Sequence, residues 1–267
     1  MPEAAASAPV EQSARESMPT MGFLEHLEEL RRRLVHSIVA VVICFFGCWF
    51  SAPRLVGIMQ KPIVEVLHKY GLPEKLVYLN PVDPFNLYVK VAGVAGLFVA
   101  SPFVLYQIWL FIAPGLYRNE KRYVLPFMVS SVALFIAGGY FGYRIVYPQA
   151  LNFLIDFGKQ FQPMITIEEY TQLFVTIISG MGVIFEMPIL VFFLALMGIV
   201  SAGWMWRNIR YAILAIFIVA AIITPTPDVV NMCIFAAPMV ALYMLSIGIA
   251  WFVHPTQRKK RAEKNAS

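Results

Sequence analysis

YTQLFVTIISGMGVIFEMPILVFFLALMGIVSAGWMW, residues 170–206, holds a single charge, Glu186. A helix needs about 20 apolar residues to cross the hydrocarbon core of a bilayer, so this stretch reads as one long membrane helix. Glu186 lies about 24 Å along it from Tyr170, at about 1.5 Å per residue. A carboxylate at that depth costs at least about 2.5 kcal/mol on insertion scales, so it is expected to face protein or water and to carry function. Pro188, two residues on, has no backbone N–H to give the Ile184 carbonyl. A kink and a polar spot are therefore expected together. The plainer alternative for Glu186 is a hydrogen bond that only glues two helices.

Five more uncharged runs flank this one: 34–51, 91–117, 123–143, 211–223 and 229–253. The reading is an all-α membrane protein of six spans. Composition agrees: 59% of the 267 residues are hydrophobic and only 14% charged, with mean hydropathy +0.68, where soluble domains hold about 25% charged residues. That argues against a cytosolic enzyme, a disordered hub and a nucleic-acid binder. The fifth run, 211–223, is too short to cross alone, and extending it back to Trp204 gives twenty residues. Arg207 and Arg210 would then snorkel to headgroups, with Trp204 and Trp206 at the interface. Its connection to the sixth run, Thr224-Pro225-Thr226-Pro227-Asp228, cannot continue a helix.

The net charge of +5 becomes topology once each cation is assigned to a side. Fourteen of the twenty-one Lys and Arg residues fall on the face that holds both termini, including Arg31, Arg32, Arg33, Arg118, Lys121, Arg122, Arg207 and Arg210. Six fall on the other face, which places both termini in the cytoplasm. Residues 1–21 are read as a disordered cytoplasmic leader, because Met1–Met18 is polar with no apolar core before a cleavage site. Residues 22–253 form the membrane domain, and residues 254–267 a basic tail that need not fold, held near anionic lipid. On the outer side Val64–Tyr70 is expected as a short amphipathic helix resting on the membrane, and residues 144–169 as a loop.

Chemistry-bearing constellations are missing from the sequence. There is no zinc-protease, nucleophile-elbow or P-loop motif, and His26, His36, His68 and His254 are scattered over both sides. Cys44, Cys48 and Cys233 show no paired spacing, so neither disulfide nor metal is expected, and no cofactor. What stands out is GFLEHLEELRRRL at Gly22–Leu34. Phe23, Leu27, Leu30 and Leu34 form a helical stripe opposite Glu25, Glu28, Glu29 and three arginines. The bland account of its acids is exposed i, i+4 pairing, Glu28 with Arg32 and Glu29 with Arg33, worth about 0.3–0.5 kcal/mol each. The first cytoplasmic loop sets one acid, Glu120, among Arg118, Lys121 and Arg122.

Four motifs in order, HLEELRRRL (26–34), PVDPF (81–85), FIAPGLYRNEKR (111–122) and FEMP with ITPTPD (185–188 and 223–228), resemble the TatC family, the polytopic subunit of the twin-arginine protein translocase. The resemblance covers about residues 22–253. It implies a concave helical bundle in the bacterial cytoplasmic membrane that receives the twin-arginine signal peptides of folded cargo. It implies that Glu29 and Glu120, with Arg31 and Phe111 beside them, bind the peptide. Two carboxylates suit two planar guanidinium forks. It further implies transport driven by the proton-motive force, with single-span partners TatA and TatB and several copies of the chain in a larger complex. Glu186, Pro188, Thr224 and Asp228 would form the partner docking region, and Pro81, Asp83, Pro84, Phe85, Pro114, Leu116 and Tyr117 structural motifs. The competing class is an ion-coupled transporter of a small solute with Glu186 as its proton site.

Overall fold

The computed structural model describes residues 23–112, 124–161, 163–224 and 229–266. It is all-helical among these residues: α1 Phe23–Trp49, α2 Ala52–Lys69, α3 Asp83–Ile112, α4 Val124–Phe141, α5 Tyr147–Phe157, α6 Ile167–Ile184, α7 Met187–Leu196, α8 Ala202–Arg207, α9 Ile209–Ile223 and α10 Val229–Ala266. Five stretches are long and apolar enough to cross a membrane: Leu27–Trp49, Asp83–Phe111, Pro126–Phe157, Ile167–Leu196 and Met232–Trp251. The sixth expected span, α9, is apolar but shorter.

Packing runs from one edge to the other. α1 lies along α3, α3 meets α4 and α6, α4 pairs with α6, α7 packs on α10, and α10 carries α8 and α9. α1 is close to bare, and α9 buries only Ile216 and Ala220. Between these two edges sits a core that includes Met59, Ile63, Tyr147, Tyr170, Ile177 and Phe235.

Several expectations from the sequence are corrected. The run 170–206 is not one rod. α6 stops at Ile184, the chain turns at Phe185 and Glu186, and α7 restarts with Pro188 in its first turn. Here Pro188 occupies a position where a backbone donor would be unpaired anyway. α7 then ends at Leu196, although the apolar sequence continues. Gly198 takes φ +74, its N–H donates to Ala195, and Ile199 N–H reaches back to the Leu194 carbonyl at 2.9 Å. That closes the helix with a left-handed glycine. Ser201 restarts it by accepting from Trp204 N.

The helix expected on the outer side is longer and deeper than anticipated. It runs Ala52–Lys69, where only Val64–Tyr70 was anticipated, and instead of resting on lipid it buries Val56, Met59, Ile63, Val66 and Leu67 as one stripe. The third span does not stop at Tyr143, because charge counting ended the run at Arg144 while helix continues. A π-helical turn, Gly142–Val146, leads into α5. Pro148 has no N–H to donate, and the turn before it widens. α9 is not one rod with Trp204 either: Asn208 separates it from α8 and spends its side-chain amide on the Trp204 carbonyl. The last helix continues from the span through the basic tail to Ala266.

α2, α5 and two loops form a cap at one end. Val77 N–H donates to the Ile165 carbonyl and Ile167 N–H to the Val77 carbonyl, and Tyr170 Oη donates to the Met59 carbonyl. Lys90 binds Glu168, and Lys69 reaches Asn152. PVDPF builds the start of α3 at this end. Asp83 is buried, and its Oδ2 accepts from Leu79 N and Asn80 N at 3.2 and 3.0 Å. Pro84 sits at the helix start, and Phe85 meets the edge of Trp49 at 5.8 Å. Pro81 lies in the turn just before.

Candidate functional site

At the end opposite the cap, the first turns of α1 meet the last turns of α3. The residues Glu25, Glu28, Glu29, Arg32, Val35 and His36 recur at helical spacing and line a hollow of about 570 Å³, with Arg31 at its rim. Glu28, Arg31 and Arg32 are exposed, and Glu28 forms no ion pair with Arg32 among the described residues. Glu29 differs from them. It is 9% exposed, and its Oε1 accepts from Arg33 Nε at 2.9 Å and from Nη2 at 2.5 Å. Arg33 Nη1 in turn donates to Gln107 Oε1 at 3.2 Å, linking α1 to α3. Glu29 Oε2 is buried without a partner among the described residues.

The i, i+4 pair expected from sequence is therefore present, but it is largely buried and not a solvated pair. That changes its meaning. An exposed pair does little, whereas a buried carboxylate that one arginine alone holds among the described residues keeps acceptor capacity for a further donor. Gln107 was missed by sequence reasoning, although an amide within the otherwise apolar run 91–117 is a signal. Phe111, one turn beyond Gln107, is half-buried near the end of α3. Glu120, Pro114, Leu116 and Tyr117 lie outside the described residues.

The second site is the break between α6 and α7. Glu186 stands at the position before α7 and makes no side-chain cap with it. Ser131 of α4, fully buried, donates from Oγ to Glu186 Oε2 at 2.6 Å, while Oε1 is buried without a partner among the described residues. Ser131 also escaped the sequence reading; a serine pair at 130–131 inside an apolar run was its only signal. Pro188 is buried beside Glu186.

Thr224 caps the end of α9, where Ile223 lies against Gly180 of α6 and the Thr224 hydroxyl donates to the Ala221 carbonyl. The structure brings Glu186 and Ser131 into contact beside Pro188. Asp228 lies outside the described residues.

With this geometry in place, comparison with known proteins gives a consistent result. Residues 25–238 match the family model described as Sec-independent protein translocase protein (TatC). A Sec-independent protein translocase protein TatC from Koribacter versatilis is 64% identical over 250 residues, covering 94% of this chain and 92% of that protein. The TatC protein of Aquifex aeolicus is 34% identical over 248 residues, covering 91% of this chain and 100% of its own. A crystal structure of a twin-arginine translocase receptor, TatC, superposes with TM-score 0.75 at 34% identity, covering 85% of this chain and 98% of that one. A second, in DDM, gives TM-score 0.77. The ordered motifs, the helix order and these matches agree, and the chain belongs to the TatC family of protein translocase components.

Proposed function

We propose that this chain is the signal-peptide receptor and core subunit of a twin-arginine translocase, moving folded proteins across the bacterial cytoplasmic membrane at the expense of the proton-motive force. The observation that carries this reading is the buried Glu29 carboxylate, pinned through Arg33 to Gln107 and with one oxygen short of a donor among the described residues. A guanidinium can set two N–H groups on a single carboxylate oxygen, as Arg33 does on Oε1, whereas an ammonium offers only a point charge. Glu120 is the second acid in this reading, from the loop that follows Phe111, with Arg31 and Phe111 bordering the site. Arg33 already holds Oε1, so an incoming arginine meets Oε2 and shares the carboxylate without displacing the resident cation.

In the same reading both termini are cytoplasmic, α9 counts as a sixth and short span, and the α2–α5 cap faces outward. Glu186 is a docking point for a polar side chain of a single-span partner of the TatA or TatB kind, with several copies of the chain in one complex. Family membership favours this over an ion-coupled solute transporter that uses Glu186 as a proton site.

Photocrosslinking from positions 29 and 120 to a twin-arginine signal peptide tests the receptor assignment, with a lysine-pair peptide as control. Crosslinks to the arginine peptide alone are expected. Equal capture of both peptides would overturn it.

A further inference from the structure

A groove of about 280 Å³ opens between α2, α3, α4 and α6, in the half of the bundle next to the cap and away from both sites described above. Its walls come from Leu55 and Ile58 of α2, Val94 and Phe98 of α3, Ile136 of α4 and Ile178 of α6. The Tyr143 hydroxyl at its edge is already spent, donating to the Ile58 carbonyl at 2.8 Å. The interior therefore offers carbon and almost nothing else. It is open sideways: Ile58 and Ile136 are each 49% exposed and Tyr140 65%.

The mouth is charged. Arg54 and Lys61 stand one turn to either side of Ile58 on the same face of α2, and Arg144 follows Tyr143. Glu65 lies one turn beyond Lys61 on α2. All four charged residues are exposed, and none of the three cations is in an ion pair among the described residues. Three cations against Glu65 leave a net positive rim over an apolar slot.

Size decides what fits the slot. From residue 136 on α4 to residue 143 in the π-helical turn the walls run about 10 Å, and that length of an α-helix about 10 Å across fills roughly 800 Å³. A partner helix would be held along one side only. One extended hydrocarbon chain matches the volume, and the rim matches a phosphate carried at its end.

We infer that this groove binds one acyl chain of an anionic phospholipid whose phosphate is met by Arg54, Lys61 and Arg144. The lipid would fill the space between the cap helix α2 and the spans beneath it, so that cap and bundle meet through a bound chain. Free phosphate has no use for the apolar slot, and a zwitterionic lipid, whose own choline offsets its phosphate, gains less from a cationic rim than an anionic one does.

The test uses the full chain, purified in detergent, and phosphatidylglycerol carrying a diazirine in mid-chain, with labelled peptides mapped by mass spectrometry. Label is expected on α2, α3 and α6 around Met59, Phe98 and Ile178. Unlabelled phosphatidylglycerol should compete about tenfold better than phosphatidylcholine. Replacing the rim with Arg54→Gln, Lys61→Gln and Arg144→Gln together should erase that preference, and Ile136→Trp, from a half-exposed wall position, should block labelling. Because the unmodified chain is mapped first, a variant that misfolds does not rescue the idea. Label spread evenly over all exposed helix faces overturns the site. Equal competition by phosphatidylcholine, or competition by inorganic phosphate, overturns the headgroup. Displacement by a twin-arginine peptide but not by phosphatidylglycerol would hand the groove to a peptide and overturn the proposal.

Discussion

Ser131 Oγ lies 2.6 Å from Glu186 Oε2 and donates to it, so α4 holds the carboxyl at the break between α6 and α7. The other oxygen has no partner among the described residues. Ser131→Ala leaves both oxygens unpaired. Membrane hydrogen bonds average only about 0.6 kcal/mol, but an unsatisfied buried acceptor adds about 1–3 kcal/mol. A loss of about 1–2 kcal/mol is expected in denaturant unfolding in detergent micelles. The double variant with Glu186→Leu should lose clearly less than the sum of the two single changes. Strict additivity would show that the bond contributes nothing.

The partner-docking role of Glu186 separates from its fold role by chemistry. Glu186→Gln keeps an acceptor for Ser131 and a donor for a partner side chain, whereas Glu186→Leu keeps neither. Co-purification of single-span partners should survive in the Gln variant and drop several-fold in the Leu variant. A Gln variant that holds partners normally but transports nothing would point to proton transfer instead.

At the other site, Glu29→Gln removes the charge that an incoming guanidinium would meet. A charge-assisted hydrogen bond contributes about 1.5–3 kcal/mol, so signal-peptide affinity should fall roughly ten- to a hundredfold. Gln107→Leu frees one arm of Arg33 while leaving the Glu29 charge in place. Its effect should be smaller, about fivefold, because the amide holds Arg33 and not the incoming guanidinium, and a typical bond contributes about 1 kcal/mol. Fluorescence titration with a labelled peptide reads both. A larger loss from Gln107→Leu than from Glu29→Gln would reverse the assigned roles.

Glycines set how closely α4 and α6 approach. A Cβ on Gly138 would sit 2.5 Å from the Met181 carbonyl oxygen and 2.8 Å from Phe185. Backbone cannot move aside as a flexible side chain can, so the two helices must separate just beside Glu186. Gly138→Ala should cost about 1–3 kcal/mol of stability as an overpacked contact. Gly93→Ala meets nothing within 4 Å and is the control; it should be neutral or slightly stabilising, by up to about 1 kcal/mol. Thermal unfolding in detergent distinguishes the two, and equal midpoints would refute the packing argument.

How much of this was readable in advance depends on the kind of signal. Span positions were legible because apolar length against charge is a one-dimensional property, and the Pro188 break beside Glu186 followed from a missing N–H. The early end of α7 was not, because Gly198 adopts its left-handed turn inside a run with no change in polarity. Charge also misled at Arg144, which is exposed on a continuing helix and ends nothing. α2 is longer than the anticipated Val64–Tyr70 and carries Pro62 buried inside it without ending there. Glu29 was visible as an acid, but its burial was not: that comes from α3 lying across α1 with Gln107 at the level of Arg33.

The edge formed by α9 yields the last prediction. Its fifteen residues make about 22 Å of helix against a core of about 30 Å, and Asn208 prevents α8 from extending it as one rod. If α9 spans, the bilayer must thin here or the helix must find a neighbour equally short. Tyr211, Leu214, Ile218 and Ile222 recur along one face and are all more than half exposed, while Ile216 and Ala220 on the other face are buried. A single-span partner docking on this edge should therefore crosslink from cysteines at 211, 214, 218 and 222 and not from 216 or 220. Thr226→Cys should react with an impermeant reagent from outside if both termini are cytoplasmic. A uniform crosslinking profile along α9 would remove the docking face, and labelling of position 226 only from the cytoplasm would remove the six-span topology with it.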